Sequence, residues 1–171
     1  MRDAARATPL RVETQYAARR PWVPTDGALR RWAMAAHRGA VSAGANGRRR
    51  ERPRGDRVCI RVVGAAAGRR LNRDYRGKDA PTNVLSFPAS DAERAHEGLL
   101  GDLVICAPVV AAESRVQGKI PAAHWAHMVV HGMLHLHGFD HASARQARAM
   151  ERLEVEILSG FGYQNPYRPV T

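Results

Sequence analysis

Apolar and polar positions alternate with period two from Leu10 to Tyr16, the pattern of a half-buried strand. Behind it, Pro21, Pro24 and the pair Thr25-Asp26 write a helix start. Leu29, Trp32, Ala33 and Ala36 then recur at helical spacing, and Gly39 marks the expected end. From Gly44 to Gly55 the chain is Gly, Asn, Pro and Arg with almost nothing apolar, an exposed basic loop inserted into one domain. Val58, Ile60 and Val62 alternate again between Arg57 and Val63 and predict the second strand. A short helix around Leu71, Asn72 and Tyr75 follows, punctuated by Gly77. Asn83 to Phe87 reads as a third strand closed by Pro88, Asp91 to Gly98 as a polar turn, and Leu99 to Cys106 as a fourth strand.

The remainder is helical. Pro108 suits a first helical position, and Val109 to Arg115 continues from it. The longest apolar-periodic segment starts after Pro121 and runs through Trp125, Met128, Val129, Leu134 and Leu136 to Gly138; this is the central helix. A last helix, Ala142 to Ser159, is carried by Ala149, Met150, Leu153, Ile157 and Leu158, with a tail over 163–171. The order predicts an α+β fold, one domain over residues 1–171 with a mixed four-stranded sheet packed against helices. No internal repeat is visible.

Composition narrows the class. The 171 residues, 44% hydrophobic, suffice for one core. No run of eighteen apolar residues occurs, and charges are scattered through Met1 to Leu10, so the expectation is a cytoplasmic protein with no membrane partner. Cys59 and Cys106 stand in apolar alternating stretches without CxxC spacing and read as small hydrophobes. The net charge of +11 comes from 27 Lys and Arg against 16 Asp and Glu, mostly arginine. Arginine grips phosphates in a bidentate fork, so the excess fits nucleic acid; compositional bias toward Arg, Ala and Gly fits it too. Charge supports a conclusion about partners and cannot found one.

The chemistry lies in HGMLHLHGFDH. His131 and His135 are four apart on a helix, so their imidazoles project from one face and can share an ion. Gly138 lets the chain leave the helix with positive φ and bring His141 to the same metal. Three protein ligands leave a fourth position for water, which separates a catalytic zinc from a structural one. Zinc leads on ligand chemistry and nickel is the alternative. His127, one turn before His131 on the same face, is a candidate for supporting a ligand, contacting substrate or simple packing. Asp140 is a candidate for holding a ligand's ring proton or the turn, and His137 points from another face. The spacing matches that of metzincin peptidases, whose second motif position is a glutamate base; here it is Gly132, which cannot take a proton.

HMVVHGMLHLHGFDH, with LNRDYRGKDAPTNVLSFP and GDLVIC upstream, closely resembles the YbeY family of bacterial ribosomal-RNA maturation endoribonucleases, over roughly Leu71 to His141. The resemblance implies a metal-dependent, single-strand-specific endoribonuclease that acts in 16S rRNA 3′-end maturation and ribosome quality control; with the metal read as zinc from its ligands, the expectation is a zinc-dependent endoribonuclease. His131, His135 and His141 would be its metal ligands, and Arg76 of YRGKD its functionally important arginine. Its partners would be single-stranded RNA, small-subunit rRNA and ribosomal particles, with a ribosomal protein or assembly GTPase as further candidates. At Asn83 the family carries Asp or Asn; His137, where Leu is usual, departs from the pattern. The other reading of Arg76 is a surface arginine paired with Asp74 or Asp79. With 6% aromatic residues and no RNP-type motif, no base-stacking platform is written in the chain, so a partner is expected to position the cut. Two other readings stand beside this one: a metallopeptidase, and a non-enzymatic ribosome assembly factor with a structural metal.

Overall fold

The computed structural model describes residues 9–44 and 55–170. Most of the basic loop read between Gly44 and Gly55 lies outside the described residues. Four strands form one sheet in the order β1-β2-β4-β3: β1 (Leu10–Tyr16), β2 (Asp56–Val63), β3 (Val84–Pro88) and β4 (Leu99–Cys106). β1 and β4 flank β2 in parallel, and β3 pairs antiparallel with β4 as the outer strand, Val84 opposite Ile105 and Pro88 opposite Gly101. The sheet is mixed and the fold is α+β, as the strand order implied.

Period-two alternation sorts the strands' side chains between two layers. Val58, Ile60, Val62, Leu103 and Ile105 enter the main core with α1 (Asp26–Ser42), α5 (Pro121–Leu136) and α6 (Ala144–Ser159). Val63, Leu85, Val104 and Cys106 form a smaller cluster with residues of α2 (Ala65–Arg76) and α4 (Ala107–Val116). α5 is the pivot: from 124 to 137 every residue except His131 and His135 is buried. A helix apolar on nearly all sides belongs in a core. This one leaves a single opening, and the opening holds the histidines.

Three expectations need correction. α1 does not end at Gly39 but continues to Ser42. Gly39 is a packing position there, since a Cβ would sit 2.8 Å from Ile157 Cδ1 on α6. The segment read as a polar turn is α3 (Asp91–Glu97), with no buried residue and a capping box in which Ser90 Oγ accepts from the Glu93 N–H. Hydrophobic periodicity cannot find a helix that buries nothing. α6 starts at Ala144 rather than Ala142, because Ser143 and Gln146 cap it reciprocally.

Gly101 of β4 has no room for a side chain between β3 and α5. Its φ is +140°, and a Cβ would lie 2.2 Å from the Phe87 carbonyl oxygen and 2.9 Å from Leu136 Cδ2. Gly101→Ala is therefore expected to lower the unfolding free energy by about 3 kcal/mol through backbone strain and β3 displacement. Urea denaturation checks this, and a midpoint equal to wild type would contradict it.

Candidate metal centre

α5 ends in a Schellman turn. The Gly138 N–H bonds to the His135 carbonyl at 2.9 Å and the Phe139 N–H to that of Leu134 at 3.0 Å, with Gly138 at φ +90°. This turn reverses the chain, so that His141 comes back over His135, ring centroids 5.1 Å apart. It also puts the Phe139 carbonyl 2.9 Å from His135 Nδ1. One ligating nitrogen from each of His131, His135 and His141 lies within 4.8 Å of the others. The three residues expected to share an ion are therefore brought together.

The hydrogen bonds fix which ring nitrogens face inward. A carbonyl oxygen only accepts, so His135 Nδ1 carries the proton and Nε2 presents a lone pair. His131 Nδ1 is 2.6 Å from Oε1 of Glu154, a fully buried carboxylate, which fixes His131 the same way. The two Nε2 atoms then face one another at 3.1 Å, lone pair to lone pair. That contact is repulsive unless a proton or a metal ion lies between the two nitrogens. Tetrahedral bonds of 2.0–2.1 Å put ligand nitrogens about 3.3 Å apart, so the observed separation suits a shared ion. His127, His131 and Glu154 form a second possible group. There the 2.6 Å separation is too short for two ligands of one ion and is an ordinary charge-assisted hydrogen bond.

Glu154 links the remaining side chains. Its Oε2 accepts from Tyr167 and lies 3.6 Å from His127 Nε2, which is itself 3.3 Å from the Tyr167 hydroxyl. His127 thus meets the candidate ligand His131 through the carboxylate and, edge-on, ring to ring with centroids 6.1 Å apart. Burial raises the Glu154 carboxyl, but its contacts with His127 and His131 outweigh this and hold it at about 2. Sequence reading missed Glu154 and Tyr167, since one sits in an ordinary helical pattern and the other in a tail without periodicity. Asp140 Oδ1 accepts from the His141 N–H at 2.7 Å, and so holds the turn. His137 points away from the centre into the core, its Nε2 3.1 Å from Nδ1 of His37.

The cleft over the histidines is walled by Arg76, Asn83, Val84, Ser86, Pro88, Phe139 and Asp140. Arg69 takes Asp79 at 2.6 Å and Arg73 takes Asp74 at 3.2 Å, so the carboxylates that might have held Arg76 are engaged elsewhere. Among the described residues Arg76 makes no ion pair. Asn83 is spent on structure: Nδ2 donates to Glu113 and Oδ1 accepts from the Val84 N–H. Gly132 faces the sheet, where a Cβ would meet Leu103 Cδ2 at 2.8 Å and Val84 Cγ2 at 3.2 Å. A glutamate there would have no route to the centre. Cys59 lies on β2, and burial, with Asp102 nearby, pushes its thiol up to about 11.

These environments set a pH dependence. Burial lowers His127 and His135 below the ordinary 6.5, and Glu154 is lowered from 4.5 to about 2. A depressed group binds its proton more readily in the unfolded chain, so stability falls as pH drops. The histidine share is lost first, on descending through about 6.5. The Glu154 share goes between about 4.5 and about 2. With chelator present, the denaturation midpoint should decline steadily from pH 7 to pH 3, and Glu154→Gln should flatten the lower part. A midpoint that stays constant or rises on acidification would contradict this.

Comparison with known proteins places the chain in one family. Residues 37–162 match the family model described as Endoribonuclease YbeY. Proteins named Endoribonuclease YbeY from Alkalilimnicola ehrlichii and Aromatoleum aromaticum are 52% and 51% identical to this chain. They cover 95% and 84% of it and 93% and 81% of their own lengths. Another of that name, from Methylococcus capsulatus, is 50% identical over 86% of this chain and 89% of its own. A Thermotoga maritima protein solved in solution shares the fold, with TM-score 0.55 at 19% identity over 92% of this chain and 99% of its own. The chain belongs to the YbeY endoribonuclease family.

Proposed function

We propose that this protein is a zinc-dependent, single-strand-specific endoribonuclease that acts in 16S rRNA 3′-end maturation and ribosome quality control. The observation that carries the metal is the pair of imidazole lone pairs facing each other at 3.1 Å, each held from behind by an acceptor. His131, His135 and His141 would hold the ion, with nickel as the alternative metal. A zinc ion held there would supply Lewis acidity toward water and toward a phosphoryl oxygen of the substrate. Substrate class follows from relatives named as endoribonucleases and from the unpaired Arg76 in the cleft wall.

The chain's own residues divide the work. Arg76 binds a non-bridging phosphate oxygen and stabilises the charge that grows there as the phosphorus becomes five-coordinate. Glu154 keeps His131 in one tautomer and one orientation, and the Phe139 carbonyl does the same for His135. Asp140 anchors the turn that presents His141. Among the other polar lining residues, Asn83 donates to Glu113 and Ser86 donates to the Gly132 carbonyl, and Asp140 supplies the carboxylate of the cleft wall. Product ends identify the nucleophile: attack by the neighbouring 2′-hydroxyl leaves a 2′,3′-cyclic phosphate, and attack by water does not.

The peptidase reading lacks its base, because position 132 faces Leu103 and Val84. The structural-metal reading fits poorly with three ligands in an open cleft, where a closed site uses four. Small-subunit rRNA in ribosomal particles is the proposed physiological substrate, with a ribosomal protein or assembly GTPase directing the cut. No helix among the described residues is long and apolar enough to cross a membrane, which accords with a cytoplasmic site of action.

Purified wild type should cut single-stranded RNA in a chelator-sensitive way and leave denatured protein intact. His135→Ala should abolish cutting, and Arg76→Ala should slow it about 100- to 1,000-fold at unchanged metal content. Equal residual activity in wild type and His135→Ala would instead indicate a contaminating nuclease. Glu154→Gln should weaken zinc affinity about 10- to 100-fold in a competition with chelator. Unchanged affinity would remove Glu154 from the metal centre.

A further inference from the structure

α2 ends beside the cleft with an aromatic ring that the fold leaves unused. Tyr75 is 68% exposed, although α2 has a partly buried face available at Leu71. Among the described residues its one ring partner is Phe87, edge-on with centroids 5.0 Å apart. Phe87 belongs to β3, the outer strand of the sheet. Its neighbours Ser86 and Pro88 line the cleft, while Phe87 packs with the cluster on the other side of the sheet. Tyr75 therefore stands just around the β3 edge from the metal centre. Arg76, the next residue, reaches the cleft itself.

Charge around the ring is also uneven. Arg69 and Arg73 are neutralised by Asp79 and Asp74. Arg70, Arg76 and Lys78 are exposed, and none makes an ion pair among the described residues. An open aromatic face between unneutralised cations matches what a single nucleic-acid strand offers, flat apolar bases on an anionic backbone. A double helix keeps its bases stacked on each other and has none to give.

We infer that Tyr75 is a stacking platform for one unpaired base of the RNA beside the scissile phosphate, with Arg76 on the scissile phosphate itself and Lys78 on a flanking one. The inference rests on the endoribonuclease reading for its substrate. It supplies a physical source for single-strand preference: the base must be free to leave its neighbours and lie on the ring. Any of the four bases can stack, so the platform selects unpaired structure and leaves sequence choice to other contacts.

The test is equilibrium binding by the metal-loaded protein of a labelled single-stranded oligodeoxyadenylate, which has bases and phosphates but is no ribonuclease substrate. A matched strand of abasic residues serves as control. Tyr75→Ala should weaken binding to the oligodeoxyadenylate about 5-fold or more and barely change binding to the abasic strand. Tyr75→Phe and Tyr75→Trp should restore it. The slope of log affinity against log salt should stay unchanged in Tyr75→Ala and fall by about 1 in Lys78→Ala. The platform is overturned if Tyr75→Ala binds as wild type does, or if its loss is equally large on the abasic strand, which would mark a structural role. If the stacking signature holds but wild type cuts no RNA, the nuclease reading fails and the platform stands.

Discussion

The bond between His131 and the buried carboxylate of Glu154 is the interaction on which the site depends. A carboxylate with no solvent contact is costly to bury unless its lone pairs are filled, and here His131, His127 and Tyr167 surround it. That requirement ties together three elements distant in sequence: the middle of α5, the middle of α6 and the C-terminal tail. Once they are tied, His131 can turn only its Nε2 toward the cleft. The Phe139 carbonyl makes the same choice for His135. Two lone pairs are thereby aimed at one point, and the cost of that arrangement disappears when a cation occupies it.

The scaffold keeps this point open by burying everything around it. α5 is sealed against the sheet, α1 and α6, and beyond its first turn solvent reaches it at His131 and His135. Gly132, the residue that argues against a peptidase, is also a position where α5 packs directly on β3 and β4, with no room for a Cβ. Packing and chemistry make the same demand at that position. The close approach holds the edge strand beside the histidines, and the loop between α2 and β3 then places Arg76 in the same cleft wall.

Much of this was legible in the sequence, and its limits have physical causes. The four strands and the central helix follow from periodicity because each buries a regular face. The three histidines follow from helical spacing plus one glycine that must reverse the chain. α3 escaped because it buries no residue, and α1 ran past Gly39 because that glycine answers to Ile157 rather than to a helix stop. Glu154 and Tyr167 escaped for a different reason. Their meaning arises from tertiary contact, and a glutamate in an amphipathic helix looks solvated until its neighbours are known. The stacking surface was missed because aromatic composition counts rings and takes no account of where they stand; Tyr75 is a single ring left exposed beside the cleft.

The central claim is that one divalent ion on His131, His135 and His141 drives RNA cleavage. It is tested most directly by stripping metal from the purified protein in steps, measuring bound metal and cleavage of single-stranded RNA on the same samples. The account predicts that activity falls in proportion to metal and returns fully with one equivalent of zinc. Cleavage that persists after the metal is gone, and is lost only when the protein unfolds, would contradict it.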